Sequence, residues 1–168
     1  MTQHVIESRG EADTRAVAAA LAQALQPGDL VALQGPLGAG KTVFVRGLAE
    51  ALEIPREAGV SSPSYALVNL YEGGRHPVAH LDLYRLGDED ELEALGFRDL
   101  LDDARVVLVE WPEHAPVVCE IATFILVIED LGPSRRRLRL SSQEPEASRA
   151  LARALASLPQ ARPAPARR

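Results

Sequence analysis

Leu30-Val31-Ala32-Leu33-Gln34-Gly35-Pro36-Leu37-Gly38-Ala39-Gly40-Lys41-Thr42, continued by Val43-Phe44-Val45-Arg46-Gly47-Leu48-Ala49-Glu50-Ala51-Leu52, joins a short apolar strand to a helix through a glycine-rich turn. The octet Gly35 to Thr42 has the G-x-x-x-x-G-K-[ST] spacing of a phosphate-binding P-loop, and strand, turn and helix are the surroundings that motif requires. Its glycines let backbone amides come close to a phosphate. The N–H groups of Gly38, Ala39, Gly40, Lys41 and Thr42 are expected to wrap a β-phosphate at the helix N-terminus, where unpaired donors and the helix dipole favour an anion. The Thr42 hydroxyl is the expected Mg²⁺ ligand. Lys41 is the only lysine in the chain, against 17 arginines. A slim ammonium suits a slot between terminal phosphates better than a planar guanidinium does. An ordinary glycine turn ahead of a helix is the plain alternative, and the flanking strand and helix argue against it.

Outward from this unit the chain alternates helical and extended patterns. Val5 to Glu7 predicts a short strand, and the alanine-rich run Arg15 to Leu25, preceded by Glu11 to Thr14, predicts a helix. The P-loop helix should stop near Ile54-Pro55. Tyr65 to Tyr71 and Pro77 to Tyr84 read as strands joined by a turn at Glu72-Gly73-Gly74-Arg75. An acidic helical stretch covers Asp88 to Asp103. Further strands are expected at Arg105 to Glu110, Ala122 to Ile128 and Arg135 to Leu140, then a helix from Pro145 to Leu158. Strands 65–71 and 77–84 have no helix between them, so part of the sheet must be antiparallel. The expected fold is α/β: a P-loop NTPase with a mixed sheet, a parallel core, flanking antiparallel strands and helices on both faces. Residues 1–158 form one domain in this reading, and 159–168 a disordered tail.

Composition narrows the class. With 46% hydrophobic and 25% charged residues the chain is that of a soluble globular domain. No apolar run approaches the ~20 residues that span a bilayer, and the N-terminus lacks a basic segment followed by an apolar one. One cysteine, Cys119, excludes an internal disulfide and fits a reducing cytoplasm. A net charge of −6 argues against strong autonomous binding of RNA or DNA, although Arg135-Arg136-Arg137-Leu138-Arg139 is a local basic run. That run alternates with apolar positions and equally suits the solvent face of a strand.

Hydrolysis or transfer also needs a carboxylate near the metal, at the end of an apolar strand beside the P-loop strand. Glu110, after Val106-Val107-Leu108-Val109, and Asp82, after Val78-Ala79-His80-Leu81, both qualify. Ser61-Ser62-Pro63-Ser64 reads by itself as a proline turn. In many P-loop hydrolases a segment so placed senses the γ-phosphate. Trp111, the sole tryptophan, follows Glu110 directly. His4, His76, His80 and His114 show no ligand spacing and read as structural or exposed. With the only lysine inside the P-loop, no guanine-reading N/T-K-x-D motif exists, so ATP is the expected nucleotide. A small-molecule kinase is the other enzyme class that fits, with Arg85 and Arg98 as lid arginines. A nucleotide-dependent binding module is the third reading.

The series Gly35 to Thr42, Ser62-Pro63-Ser64-Tyr65 with Leu67-Val68 and Tyr71, His80-Leu81-Asp82-Leu83-Tyr84-Arg85-Leu86, Glu91-Leu92 with Gly96 and Asp99, and Val109-Glu110-Trp111-Pro112 resembles the TsaE family of bacterial ATPases. That family serves the synthesis of threonylcarbamoyladenosine on tRNA. The likeness runs from about Glu11 to Glu113. It implies a single-domain ATPase, binding ATP/ADP and Mg²⁺, whose slow hydrolysis is stimulated by a complex of TsaB and TsaD homologues. In the family TsaD carries out transfer to tRNA, so tRNA is reached only through the complex. The resemblance also implies that Thr42 and Glu110 hold Mg²⁺, that Lys41 contacts phosphates, and that Asp82 and Trp111 are functional positions. Ser64 then falls in the switch-like loop, Glu11 and Thr14 lie where the N-terminal segment approaches the nucleotide, and adenine contacts fall around Gly132 to Arg137. The chain departs from the family pattern at Pro36, where many members have Asp, and at Ser64, where Thr is usual.

Overall fold

Leu30, Val31, Ala32 and Leu33 are buried to the last few per cent, and so are Val106, Val107, Leu108 and Val109. Strands apolar on both faces belong in the middle of a sheet covered by helices on each side. The computed structural model describes residues 2–159 and the backbone of 162–163, and places these strands there. Its elements are β1 (Thr2–Ser8), α1 (Glu11–Ala24), β2 (Leu30–Gln34), α2 (Lys41–Ala51), β3 (Val68–Tyr71), β4 (Val78–Asp82), α3 (Glu89–Ala94), α4 (Phe97–Asp102), β5 (Val106–Glu110), α5 (Pro116–Ile121), β6 (Phe124–Asp130), β7 (Arg136–Ser142), α6 (Pro145–Leu155) and a two-residue β8 (Arg162–Pro163). The strand order is β3-β4-β5-β2-β6-β7-β1-β8. β4, β5, β2 and β6 run parallel, while β3, β7, β1 and β8 pair antiparallel. The expected mixed sheet with a parallel core is therefore present.

Side chains alternate between two separate cores. Val31 and Leu33 of β2, Val106 and Leu108 of β5 and Val78 of β4 pack with Leu21 of α1 and Phe44 and Leu48 of α2. Leu30, Ala32, Val107, Val109, Ala79 and Leu81 pack on the other side with Leu92, Phe97 and Val118 of α3, α4 and α5. The period of two then fixes where the strand-end acids point. His80 and Asp82 fall in step with Val78, and Glu110 in step with Val106 and Leu108, so all three lie on the α2 face. Asp82 and Glu110 are direct partners in the β4–β5 register.

The structure corrects several boundaries. The strand expected over 65–71 begins only at Val68, because Leu67 turns at φ 63° with its N–H bonded to the Pro63 carbonyl. The single acidic helix over 88–103 is two helices, parted at Gly96 with φ 74°. The short α5 was not expected, since Pro116 to Ile121 carries no clear helical period. Of the expected tail, residues 160, 161 and 164–168 lie outside the described residues, and Arg162–Pro163 bridges His4 and Val5 of β1. Among the described residues no helix is long and apolar enough to cross a membrane.

The basic run is spoken for. Arg137 pairs with Glu7 and Glu129, Arg139 with Glu129, Arg135 with Glu7, and Arg136 with Asp130. Within β7, Arg137 and Arg139 alternate with buried Leu138 and Leu140, as a strand requires.

Gly35 leaves β2 at φ 154°, and a Cβ there would stand 2.7 Å from the Ile128 carbonyl oxygen of β6. Gly35→Ala is expected to destabilise the fold by about 1–3 kcal/mol through overpacking, lowering Tm by several degrees in a thermal melt. An unchanged Tm would mean that β6 yields freely at this point.

Candidate functional site

The carboxyl ends of β2, β4 and β5 open onto a cleft of about 360 Å³, and Leu37, Gly38, Ala39, Gly40, Lys41, Thr42, Ser62, Ser64, Asp82, Tyr84, Glu110 and Trp111 are among the residues that line it. Ligands of open α/β sheets bind at such strand ends. The structure thus brings together Gly38 to Thr42, Ser64, Asp82, Glu110 and Trp111, which elements far apart in sequence supply. Glu11 and Thr14 do not line the cleft: Glu11 opens α1, and buried Thr14 meets the Ser8 hydroxyl at 2.8 Å. Arg85 lies over the Tyr65 ring and Arg98 pairs with Glu93, so neither reaches the cleft lining.

The turn between β2 and α2 is built to offer donors. Gly40 caps α2 in the left-handed region. The Ala39 N–H is bonded within the turn, to the Pro36 carbonyl. Among the described residues the amides of Gly38, Gly40, Lys41 and Thr42 have no acceptor, which leaves them for an anion. The turn is braced from outside by Arg136 of β7, whose Nε–H donates to the Ala39 carbonyl at 2.9 Å. The same guanidinium bonds Gly132 and Arg135 carbonyls and the Asp130 carboxylate. A role for Arg136 in holding the turn had no local signal, because the contact spans most of the chain.

Lys41 is buried. Its ammonium donates to the Gly35 carbonyl at 2.6 Å and the Pro36 carbonyl at 3.2 Å, and stands 3.9 Å from the centroid of the Trp111 ring. Burial pushes its pKa below the ordinary lysine value, against the pull of Glu110, Glu113 and Asp82. Trp111 reaches this position from a backbone at φ 58°, which turns the chain out of β5 into the 3₁₀ turn Pro112–His114. Such a conformation in a bulky residue costs about 1–3 kcal/mol. Its ring is held by Tyr84, 4.9 Å away between centroids, and by an edge contact with His114. A ligand that draws the ammonium off this ring is expected to change the intrinsic emission of the sole tryptophan. Titration with ADP checks this; an unaltered spectrum at saturation would separate Trp111 from events at the glycine turn.

The two carboxylates differ in what they already hold. Asp82 Oδ2 accepts from the Ser62 hydroxyl at 2.6 Å and the Ser64 hydroxyl at 3.2 Å, and Oδ1 accepts from the Tyr84 N–H at 3.0 Å. The Asp82 N–H in turn donates to the Leu67 carbonyl. Asp82 therefore ties the 61–67 segment against the cleft. Glu110 accepts at Oε1 from His80 Nε2 at 2.8 Å, and its Oε2 has no partner among the described residues. His80 is fully buried, the structural one of its two expected alternatives. Its link to a strand-end acid went unseen in the sequence, although its place two residues before Asp82 puts both on one face. Cys119 is half-buried and burial raises its thiol pKa, so it behaves as a core residue.

Side-chain oxygens of Thr42, Ser62, Ser64, Asp82 and Glu110 give the cleft a donor set suited to a hard cation. Among the described residues no three His, Cys, Asp or Glu side chains form a metal cage on their own. Mg²⁺ keeps water and takes phosphate oxygens beside one or two protein ligands, so Thr42 and one carboxylate would be enough to hold it.

A family model described as threonylcarbamoyl adenosine biosynthesis protein TsaE matches residues 8–138. The chain is 39% identical over 136 residues to the tRNA threonylcarbamoyladenosine biosynthesis protein TsaE of Aquifex aeolicus, across 81% of this chain and 92% of that one. It is 36% identical over 130 residues to the protein of the same description from Bacillus subtilis, across 77% and 80%. The crystal structure of Bacillus subtilis YdiB superimposes with a TM-score of 0.72 at 27% identity, over 93% of this chain and 96% of that one.

Proposed function

The chain belongs to the TsaE family of tRNA threonylcarbamoyladenosine biosynthesis proteins, and from that footing we propose that it is the ATP-hydrolysing component of the pathway, acting on and stimulated by a complex of TsaB and TsaD homologues. One observation carries the nucleotide reading: unpaired amides of Gly38, Gly40, Lys41 and Thr42, the Lys41 ammonium and the Glu110 carboxylate all meet in one cleft. Amides and ammonium bind the phosphates. Thr42 and Glu110 would hold Mg²⁺, which when bound offsets phosphate charge. Asp82 keeps Ser62 and Ser64 at the cleft edge, where the segment can respond to the terminal phosphate. The Trp111 ring covers the ammonium and Tyr84 packs against that ring. Absence of a guanine-reading lysine favours ATP over GTP.

The rim offers a place for a partner to act. Leu37 and Tyr84, two of the large apolar side chains left exposed, line the same cleft, so a partner seated on this rim would reach the nucleotide. Mixing the full-length protein with its own TsaB and TsaD homologues tests the proposal. ATP-dependent association and faster phosphate release are expected. Phosphate appearing on a metabolite without partners would instead identify a kinase, and tight ATP binding with no turnover in any mixture a binding module.

A further inference from the structure

His80 is the one histidine with no exposure at all, and it sits on β4 facing α2. Its Nε2 lies 2.8 Å from Glu110 Oε1, and its Nδ1 is buried without a hydrogen-bond partner among the described residues. A carboxylate oxygen that accepts here needs a ring proton on Nε2, so the contact is Nε2–H donating to Oε1, with Nδ1 left without a partner. A position that needed only volume would be better served by leucine, which strands no polar atom in the core. What imidazole adds is a single stiff donor aimed at a carboxylate that is itself 3% exposed. No other donor among the described residues reaches that carboxylate.

We propose that His80 is the positioning residue of Glu110: it pins Oε1, fixes the rotation of the carboxylate, and so reserves Oε2 for the metal side of the cleft. The proposal rests on the reading of Glu110 as a Mg²⁺-holding group. Metal-site carboxylates and histidines owe much of their affinity to such outer partners, whose loss commonly weakens metal binding about 10- to 100-fold.

The test uses the full-length protein and the variants H80L, H80N, H80Q, E110Q and H80L/E110Q. Leucine keeps volume without a donor, asparagine places its amide too far from Glu110, and glutamine returns an N–H at the reach of Nε2. Proton NMR of the ligand-free wild type should show a downfield imidazole N–H, absent in H80L and displaced in E110Q. ADP affinity without Mg²⁺ should stay within about twofold of wild type in H80L, H80N and H80Q, since none of them touches a phosphate contact or removes the Glu110 charge. The gain in ADP affinity on adding Mg²⁺ should fall about tenfold in H80L and H80N, recover largely in H80Q, and fall no further when H80L is added to E110Q. Should H80L not fold, H80N against H80Q makes the same comparison. A full Mg²⁺ gain in the donor-less variants, equal losses in H80Q and H80N, or additive losses in the double variant would overturn the proposal. If E110Q alone keeps the whole gain, the Glu110 reading itself fails. That result is distinct from E110Q losing the gain while H80L retains it.

Discussion

Replacing Glu110 by glutamine is expected to lower partner-stimulated ATP turnover about a hundredfold or more, because the divalent cation it would hold supplies several kcal/mol of transition-state charge stabilisation. The fold should survive. Glu110 ends β5 beside Asp82, and its backbone carbonyl bonds the Leu83 N–H whatever the side chain is. Glutamine keeps an acceptor for the His80 N–H but loses the negative charge that balances a divalent cation. ADP binding without Mg²⁺ should therefore be nearly unchanged while turnover collapses. Phosphate release in the reconstituted complex and calorimetry in the presence of a chelator measure the two halves. Turnover within a few fold of wild type would remove Glu110 from the metal shell. The cleft would then have to rely on Asp82, whose oxygens already accept three hydrogen bonds.

Lys41→Ala is the second large effect. In the ligand-free protein the ammonium is parked on the Gly35 and Pro36 carbonyls and against Trp111, so its positive charge is held at the turn before any phosphate arrives. Charge-assisted hydrogen bonds of this kind contribute about 1.5–3 kcal/mol. Losing the cation is expected to weaken ATP and ADP binding about 10- to 150-fold, with ATP, which carries the extra phosphate, suffering more. Arginine should not rescue it, because a forked guanidinium does not fit between the two carbonyls and the indole face. Calorimetric titration with both nucleotides decides. Equal affinity in wild type and K41A would mean that backbone amides alone hold the phosphates.

What could be read from the chain and what could not divide along a physical line. β2 and the glycine turn were legible because burial on both faces leaves a continuous apolar run, and because the turn's residue types are dictated by local geometry. Asp82 and Glu110 were visible as acids ending apolar strands. Their direct pairing was not, since register is a tertiary fact. The start of β3 and the break between α3 and α4 were missed where one residue's backbone angle, at Leu67 and Gly96, overrides a longer pattern. His80 was passed over because ligand spacing was sought in the sequence, whereas its partner lies 30 residues away on the neighbouring strand. Arg136 was hidden for the same reason on a larger scale: nothing near it says that it clasps Ala39, 97 positions earlier.

The position of β1 has a consequence for how the molecule is made. Among the strands described, β1 pairs only with β7 and the short β8. A ribosome adding ~5–20 residues each second therefore holds the nascent Thr2–Ser8 ribbon without a neighbour for roughly ten seconds before its mate emerges. The clasp from Arg136 arrives in that same late segment. The emerging polypeptide thus acquires the brace on its glycine turn only once Arg136 has been made, and a message cut short before that codon yields a chain with the motif but without its frame.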